Sequence, residues 1–350
     1  MLYPLKFFPI YMERIWGGND LKRLFGRDFR SDKVGESWEV ACHPHGTSIV
    51  SNGELKGKNF QEIINTYGRK ILGNKLSQQD IEKFPLLIKL LDANDILSVQ
   101  VHPDDEYAMK NENGELGKCE MWYVISAKPG AKIIYGLKDG VTKDEFKKAL
   151  REGSVERCLN EVEVMPGDVF DVPSGMIHAL GAGVVVAEIQ QNSDTVYRVY
   201  DWNRVGLDGK PRELHVQKAL DVIDFDGKYK AEKSRGLKVS NKTYLVANKH
   251  FAVELIPVNG KYEDIADGGK FSIYTIISGN GSISFDGKEV DFKAGDSVFI
   301  PASLGKYSIN GSGINMLKSY VPDIEQEVIQ PLKSVGYSDK EIRSVVKKIS

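Results

Sequence analysis

Two histidines, a glutamate and a glutamine in this 350-residue chain stand at spacings that suit a divalent metal. Gln100 and His102 are two apart in SVQVHP, and in an extended strand residues i and i+2 share a face. Glu120 opens the apolar run EMWYVISA. His178 closes the pattern G-x5-P-x-G-x2-H, formed by Gly167, Pro173, Gly175 and His178. There a Gly-Asp turn leads into a strand, Pro173 ends it, and Gly175 lets the backbone bend to deliver His178 inward. Two imidazoles, one carboxylate and one amide oxygen make a mixed nitrogen and oxygen site, which suits Zn2+ and also accepts Mn2+, Fe2+ or Co2+. The absence of thiolate argues against a closed structural zinc. A second group, Cys42, His43 and His45, lies in a turn and is the weaker candidate.

The elements that must position these residues read as mainly β with helical insertions. Helical spacing of apolar residues runs over about 55–92, through NFQEIINTYGRKIL and LSQQDIEKFPLLIKLLDA, with Ser77 as an N-cap. Further helices are expected at about 142–159 and 212–225. Short strand-like runs separated by turns fill the rest, and beyond about 236 the chain is nearly all β until Pro322. The tail, 323–350, is charged, helix-patterned and expected to be peripheral. One similarity is internal: PGDVFDVPSGMIHAL (166–180) matches AGDSVFIPASLGKYS (294–308), and EMWYVISAKPGAKI (120–133) matches SIYTIISGNGSISF (272–285). The alignment sets Glu120 on Ser272 and His178 on Lys306. Two barrels of one type are therefore expected. A catalytic one spans 1–235 with the insertions, and a degenerate, metal-free one spans 236–322, followed by the helical tail 323–350.

Composition narrows the class of function. The chain is 41% apolar and 27% charged with a formal net charge of -2, and no basic stretch suggests nucleic acid. No segment approaches the roughly 20 apolar residues of a membrane helix. Pro4, Lys6 and Pro9 break the apolar N-terminus, so it does not read as a signal peptide. Cys42, Cys119 and Cys158, odd in number and widely spaced, fit reduced thiols in the cytoplasm. A monomer is the default expectation.

The G-x5-P-x-G-x2-H segment resembles the second motif of the cupin superfamily, whose fold is a jelly-roll β-barrel. With ILSVQVHPDD (96–105), KCEMWYV (118–124), PSGMIHALG (173–181) and QNSDTVYRVYDWNR (191–204), the chain resembles the class I mannose-6-phosphate isomerases in their short bacterial form. GESWEV (35–40) and RELHVQKALDVI (212–223) belong to the same pattern, and the likeness runs from near residue 1 to about 322. The resemblance implies one zinc ion per chain on Gln100, His102, Glu120 and His178, and a sugar phosphate as substrate. It implies catalytic roles for Arg198 and Lys118, and places Ser98 and Asp194 in the substrate pocket. Cys119 departs from a proline common in relatives, and the tail after Pro322 is extra.

Aldose–ketose isomerisation moves a proton between C1 and C2 through an enediol, so a Lewis acid beside the sugar oxygens lowers the barrier. A general base must reach the C1–C2 edge. Lys118, a metal-bound hydroxide, His43 and His45 all remain open for that role. Arg198 suits either the enediolate or the phosphate, the other reading being a salt bridge to Asp194 or Asp201. Trp16 and Trp38 read as core rather than sugar-stacking residues, and Glu36 and Glu39 as candidate partners of the metal ligands. Two other classes compete: an iron-dependent cupin oxygenase and a non-catalytic sugar-phosphate-binding regulator. The complete ligand set, with Ser98, Lys118 and Arg198, favours the isomerase.

Overall fold

The computed structural model describes residues 2–229 and 231–347. The chain divides into two compact units, one of 11–37 and 89–233, the other of 1–10, 38–88 and 234–350. The division differs from a single boundary near 235, because 38–88 lie with the C-terminal unit.

Two sheets build the unit that holds the candidate ligands. One has six strands in the order Val169–Val172, Glu120–Ala127, Val184–Gln191, Leu86–Ala93, Val34–Val40 and Ile10–Gly18. The other has five, in the order Leu159–Glu163, Lys132–Leu137, His178–Leu180, Val99–Val101 and Tyr197–Tyr200. Alternation on the five-stranded sheet sets the direction of every site residue. Val99, Val101, Ile177, Ala179, Tyr197 and Val199 pack on the outer face, against Phe146 and Ala149 of the helix Lys143–Arg151 and Ala219 and Leu220 of the helix Val216–Val222. Ile133, Tyr135 and Leu180 point the other way, into a core with Trp122, Phe170 and Val172 of the six-stranded sheet. Their neighbours at period two, Ser98, Gln100, His178 and Arg198, therefore face inward between the sheets.

The helical insertions are shorter than the sequence suggests. The 142–159 segment forms Lys143–Arg151, started by a capping box of Thr142 and Glu145, then a 3-10 turn at Val155–Cys158. The 212–225 segment forms only Val216–Val222. Over 55–92 the structure corrects the reading. Helices occupy Phe60–Tyr67, Arg69–Leu72 and Gln78–Glu82, the last capped by Ser77 as expected, but Leu86–Ala93 is a strand. Pro85 interrupts the helical pattern, and every residue of LLIKLLDA is buried. Such a continuous apolar run fits a two-faced buried strand as well as a helix.

The second unit carries a nine-stranded sheet, and the internal repeat reappears there in hydrogen-bond register. Val172 pairs with Glu120, and Ile300 pairs with Ser272. Gly167 N–H donates to Val124 O as Gly295 N–H donates to Ile276 O, both at 2.8 Å. Both glycines have positive φ, 91° and 88°, as this turn requires. Next to these strands Glu188 pairs with Trp122, and Lys318 with Tyr274, so a lysine stands where the first unit has a carboxylate.

The tail is not peripheral. It forms Glu325–Ile329, Gln330–Ser334 and Asp339–Val345, while 348–350 lie outside the described residues. Val328, Leu332, Ile342 and Val345 are buried against Leu237, Tyr244, Ala247, Ala252 and Tyr320. Its charged residues conceal an apolar stripe that needs a partner surface.

Candidate metal centre and pocket

The candidate ligands arrive from three strands. Glu120 begins a strand of the six-stranded sheet. On the five-stranded sheet His178 pairs directly with Gln100, and His102 follows two residues later. Gly175 makes this convergence possible. Its φ is +87° and a Cβ there would stand 2.9 Å from the Val222 carbonyl oxygen, so only glycine fits without strain. Its N–H donates to His102 O at 2.9 Å, tying the two histidine-bearing segments together.

The imidazoles are held in one tautomer. His102 Nδ1 lies 2.9 Å from Thr195 O, and His178 Nδ1 lies 2.8 Å from Met176 O. A carbonyl can only accept, so each Nδ1 donates and each Nε2 keeps its lone pair. Those lone pairs face the same carboxylate: His102 Nε2 is 3.5 Å from Glu120 Oε2, and His178 Nε2 is 3.3 Å from Oε1. Burial depresses both histidines, with the Lys118 cation adding to it, His178 to about 4 and His102 well below its ordinary value. Both are neutral at pH 7.

His102, Glu120 and His178 thus form a fully buried group whose ligand atoms lie within 4.8 Å of one another. Both Nε2 atoms and Glu120 Oε1 lack a hydrogen-bond partner. Electron-rich atoms facing one another with no proton between them repel, and a cation among them removes the penalty. The donor set fits a divalent metal on that ground.

A cavity of about 260 Å3 adjoins this group and receives Ser98, Gln100, Lys118, Asp194 and Arg198. All five residues expected beside the three-residue cluster are therefore brought together. Lys118 is buried and lies 3.0 Å from Glu120 Oε2. Burial works against its charge, but Glu120, Glu188 and Asp194 outweigh burial and hold its pKa above the ordinary lysine value. It is a cation here, which disfavours the reading of Lys118 as a neutral base. Arg198 makes neither expected salt bridge. Its Nε donates to Ser98 Oγ at 3.2 Å and its guanidinium to Glu213 O at 2.8 Å. Asp201 is instead bound by Arg204 at 3.0 Å and by Arg212 at 2.5 and 2.8 Å. Burial and neighbouring Arg212 lower the Arg198 pKa, the signature of a cation short of anionic partners.

Arg14, Lys89, Trp122, Glu188 and Arg212 line the cavity and escaped the sequence reading, while Glu36, expected beside the metal ligands, meets Arg14 and Lys89 instead. Across the floor of the cavity runs a polar row from five adjacent strands. Trp122 Nε1 donates to Glu188 Oε1 at 3.0 Å, and Lys89 Nζ lies 3.6 Å from Glu188 Oε2 and 3.5 Å from Glu36 Oε2. Arg14 Nε donates to Glu36 Oε1 at 2.6 Å. Burial first, then Glu120, raises the Glu188 pKa above the ordinary carboxylate value. Arg212 lines the same cavity. The one signal available beforehand was Lys89 itself, a lone cation in an apolar run.

Trp16 serves both core and pocket wall, whereas Trp38 is fully buried beside His43 and does not line the cavity. Cys42 Sγ donates to Gln61 Oε1 at 2.9 Å, and His43 and His45 meet edge to face, ring centres 4.8 Å apart, on the hairpin Cys42–His43 and Gly46–Thr47. Neither histidine lines the cavity, nor does Glu39. A larger cavity, about 990 Å3, lies beyond the Gly175–Ile177 turn and contains none of the candidate ligands.

A family model described as "Phosphomannose isomerase type I, catalytic domain" matches residues 5–129, and one described as "Mannose-6-phosphate isomerase, cupin domain" matches 240–321. The chain is 40% identical over 314 residues to the probable mannose-6-phosphate isomerase GmuF of Bacillus subtilis, covering 89% of this chain and 98% of that protein. It is 39% identical to the mannose-6-phosphate isomerase ManA of the same organism, covering 88% and 96%. Among solved structures, the mannose 6-phosphate isomerase from Bacillus subtilis superposes with a TM-score of 0.84 at 37% identity, covering 91% of this chain and 99% of that one.

Proposed function

Because the chain belongs to the type I mannose-6-phosphate isomerase family, we propose that it interconverts mannose 6-phosphate and fructose 6-phosphate. The observation that carries this reading is the convergence of His102, Glu120 and His178, acceptor atoms inward, beneath a cavity lined by Arg14, Lys89, Lys118, Arg198 and Arg212. Such a site offers a seat for a divalent cation and a charged surround for an anionic sugar.

Gln100, His102, Glu120 and His178 would hold the metal, with zinc, one ion per chain, the best match to the donors. When bound, it supplies Lewis-acid polarisation of the sugar oxygens at C1 and C2. The remaining chemistry belongs to the chain. Arg198 and Arg212 are the guanidinium forks suited to the phosphate, with Ser98 fixing Arg198 and Asp201 fixing Arg212. Lys118 and Asp194 stand as donor and acceptor for sugar hydroxyls beside Glu120. For the proton shuttled between C1 and C2, Glu188 is the carboxylate whose basicity its surroundings raise, the property a general base needs.

All these residues come from one unit of one chain, which supports action as a monomer. Three free, buried cysteines fit a reducing cytoplasm. Among the described residues no helix is long and apolar enough to cross a membrane. The C-terminal unit, with Ser272 and Lys306 at the aligned ligand positions, is proposed to bind no metal.

The test is a pair of ketose assays run in parallel, for fructose 6-phosphate formed from mannose 6-phosphate and for fructose formed from unphosphorylated mannose. Turnover of the phosphate ester alone supports the reading. Equal turnover of mannose removes the role of the arginines, and no turnover of either by metal-loaded protein rejects the isomerase.

A further inference from the structure

The residues between the strands Val184–Gln191 and Tyr197–Tyr200 make a turn on which two parts of the site hang. Asp194 lines the cavity, and the Thr195 carbonyl accepts the His102 Nδ1 hydrogen bond at 2.9 Å. That bond fixes the ring so that its lone pair faces Glu120. Whatever shapes the turn therefore shapes both a metal ligand and a pocket acid.

Gln190 shapes it. This residue is fully buried and is the cross-strand partner of Glu120, so the two side chains lie on the same face of the sheet. Its Nε2 donates to Gln191 O at 2.8 Å and to Ser193 O at 2.6 Å, drawing the two carbonyls of the turn together. Ser193 N–H closes the turn on Gln191 O at 2.8 Å. Having spent both donors, the amide leaves Oε1 buried without a partner. A methionine would fill the same volume with no such penalty, so the retained amide is explained by the turn it holds.

We propose that Gln190 is a positioning residue: by pinning the carbonyls of Gln191 and Ser193 it sets where the Thr195 carbonyl meets His102 and where Asp194 enters the pocket. The inference rests on the metal-isomerase reading above. Partners that orient a metal-bound histidine typically change metal affinity or activity by about 10- to 100-fold when lost. Gln190 acts one bond further out, through the turn.

The test compares Gln190→Met, which keeps the length and loses the donors, with wild type and with Ile189→Ala. Ile189 is equally buried but points to the opposite face of the same strand. The first readout needs no turnover: the rate at which a chromogenic chelator withdraws zinc from the loaded protein. Gln190→Met is expected to release zinc about tenfold faster or more, and to show a lower kcat when zinc is kept saturating. Ile189→Ala should lower the melting temperature yet release zinc at the wild-type rate. Release from Gln190→Met at the wild-type rate overturns the proposal, as does equal acceleration in Ile189→Ala. If Gln190→Met does not fold, Ser193→Gly loosens the same turn and must accelerate release in the same direction, or the proposal fails. A wild-type protein that takes up no zinc overturns the metal reading and this inference with it.

Discussion

Replacing Lys89 by methionine removes the cation that separates two buried carboxylates and keeps the length of the side chain. Glu36 retains Arg14 at 2.6 Å, so the carboxylate that loses most is Glu188, which keeps only Trp122 at 3.0 Å and the attraction of Lys118. At 3.6 Å and an effective dielectric constant of about 20, the lost attraction is on the order of 4–5 kcal/mol. Breaking a buried pair by deleting one partner costs about 3–5 kcal/mol. Lys89 and Glu188 sit beyond hydrogen-bonding distance, so the lower end, about 3 kcal/mol at pH 8, is the expected loss of stability. Its pH dependence has a definite sign. Lys89 favours the ionised carboxylate, so the variant raises further a Glu188 pKa that burial has already raised. A carboxyl whose folded pKa lies above its unfolded one destabilises the fold above that range, and the penalty fades as pH falls through the folded pKa. The deficit should therefore shrink between pH 8 and pH 5.5. Urea unfolding of metal-loaded protein at both pH values, followed by tryptophan fluorescence and taken as the difference from wild type, measures it. The acid limb of kcat should move to higher pH in parallel, if Glu188 is the base. A deficit below about 1 kcal/mol at pH 8, the scale of an exposed ion pair, or one that grows on acidification, would refute the charge row.

Two further outcomes follow from the same geometry. Gly175→Ala forces a side chain into a left-handed backbone position and against the Val222 carbonyl; strain of about 1–3 kcal/mol is expected. It should lower the melting temperature and, because His178 follows three residues later, the zinc content after gel filtration; wild-type values for both would show that this turn has no need of glycine. Truncation after Pro322 bares Leu237, Tyr244, Ala252 and Tyr320. Calorimetry should show a lower melting temperature with catalysis at 25 °C retained, and an unchanged melting temperature would return the tail to a peripheral role.

How much of this was legible in the sequence depended on local periodicity. Gln100 and His102 were placed on one face by alternation alone, Ser98 joined them through the family resemblance, and the outer packing of Val99 and Val101 agrees. The Gly-Asp turn announced itself twice, and both copies share the same hydrogen bonds. The floor of the pocket stayed hidden for a physical reason. LLIKLLDA is buried on both faces, so it carries no alternation, and once read as helix it left Lys89 without a direction. Glu188 and Gln190 were visible only as members of a strand, because their importance comes from cross-strand partners some 66–70 residues away, Trp122 and Glu120. The pairing of Asp201 with Arg212 rather than Arg198 likewise depends on how a loop folds back.

The most direct test is to strip the protein with a chelator, assay conversion of mannose 6-phosphate to fructose 6-phosphate, restore zinc in measured amounts, and repeat with Glu120→Gln. Activity that vanishes, then returns in proportion to zinc up to one ion per chain, and fails to return in Glu120→Gln, is the predicted result. Full activity in the stripped protein, or zinc-dependent recovery that ignores Glu120, would contradict the account.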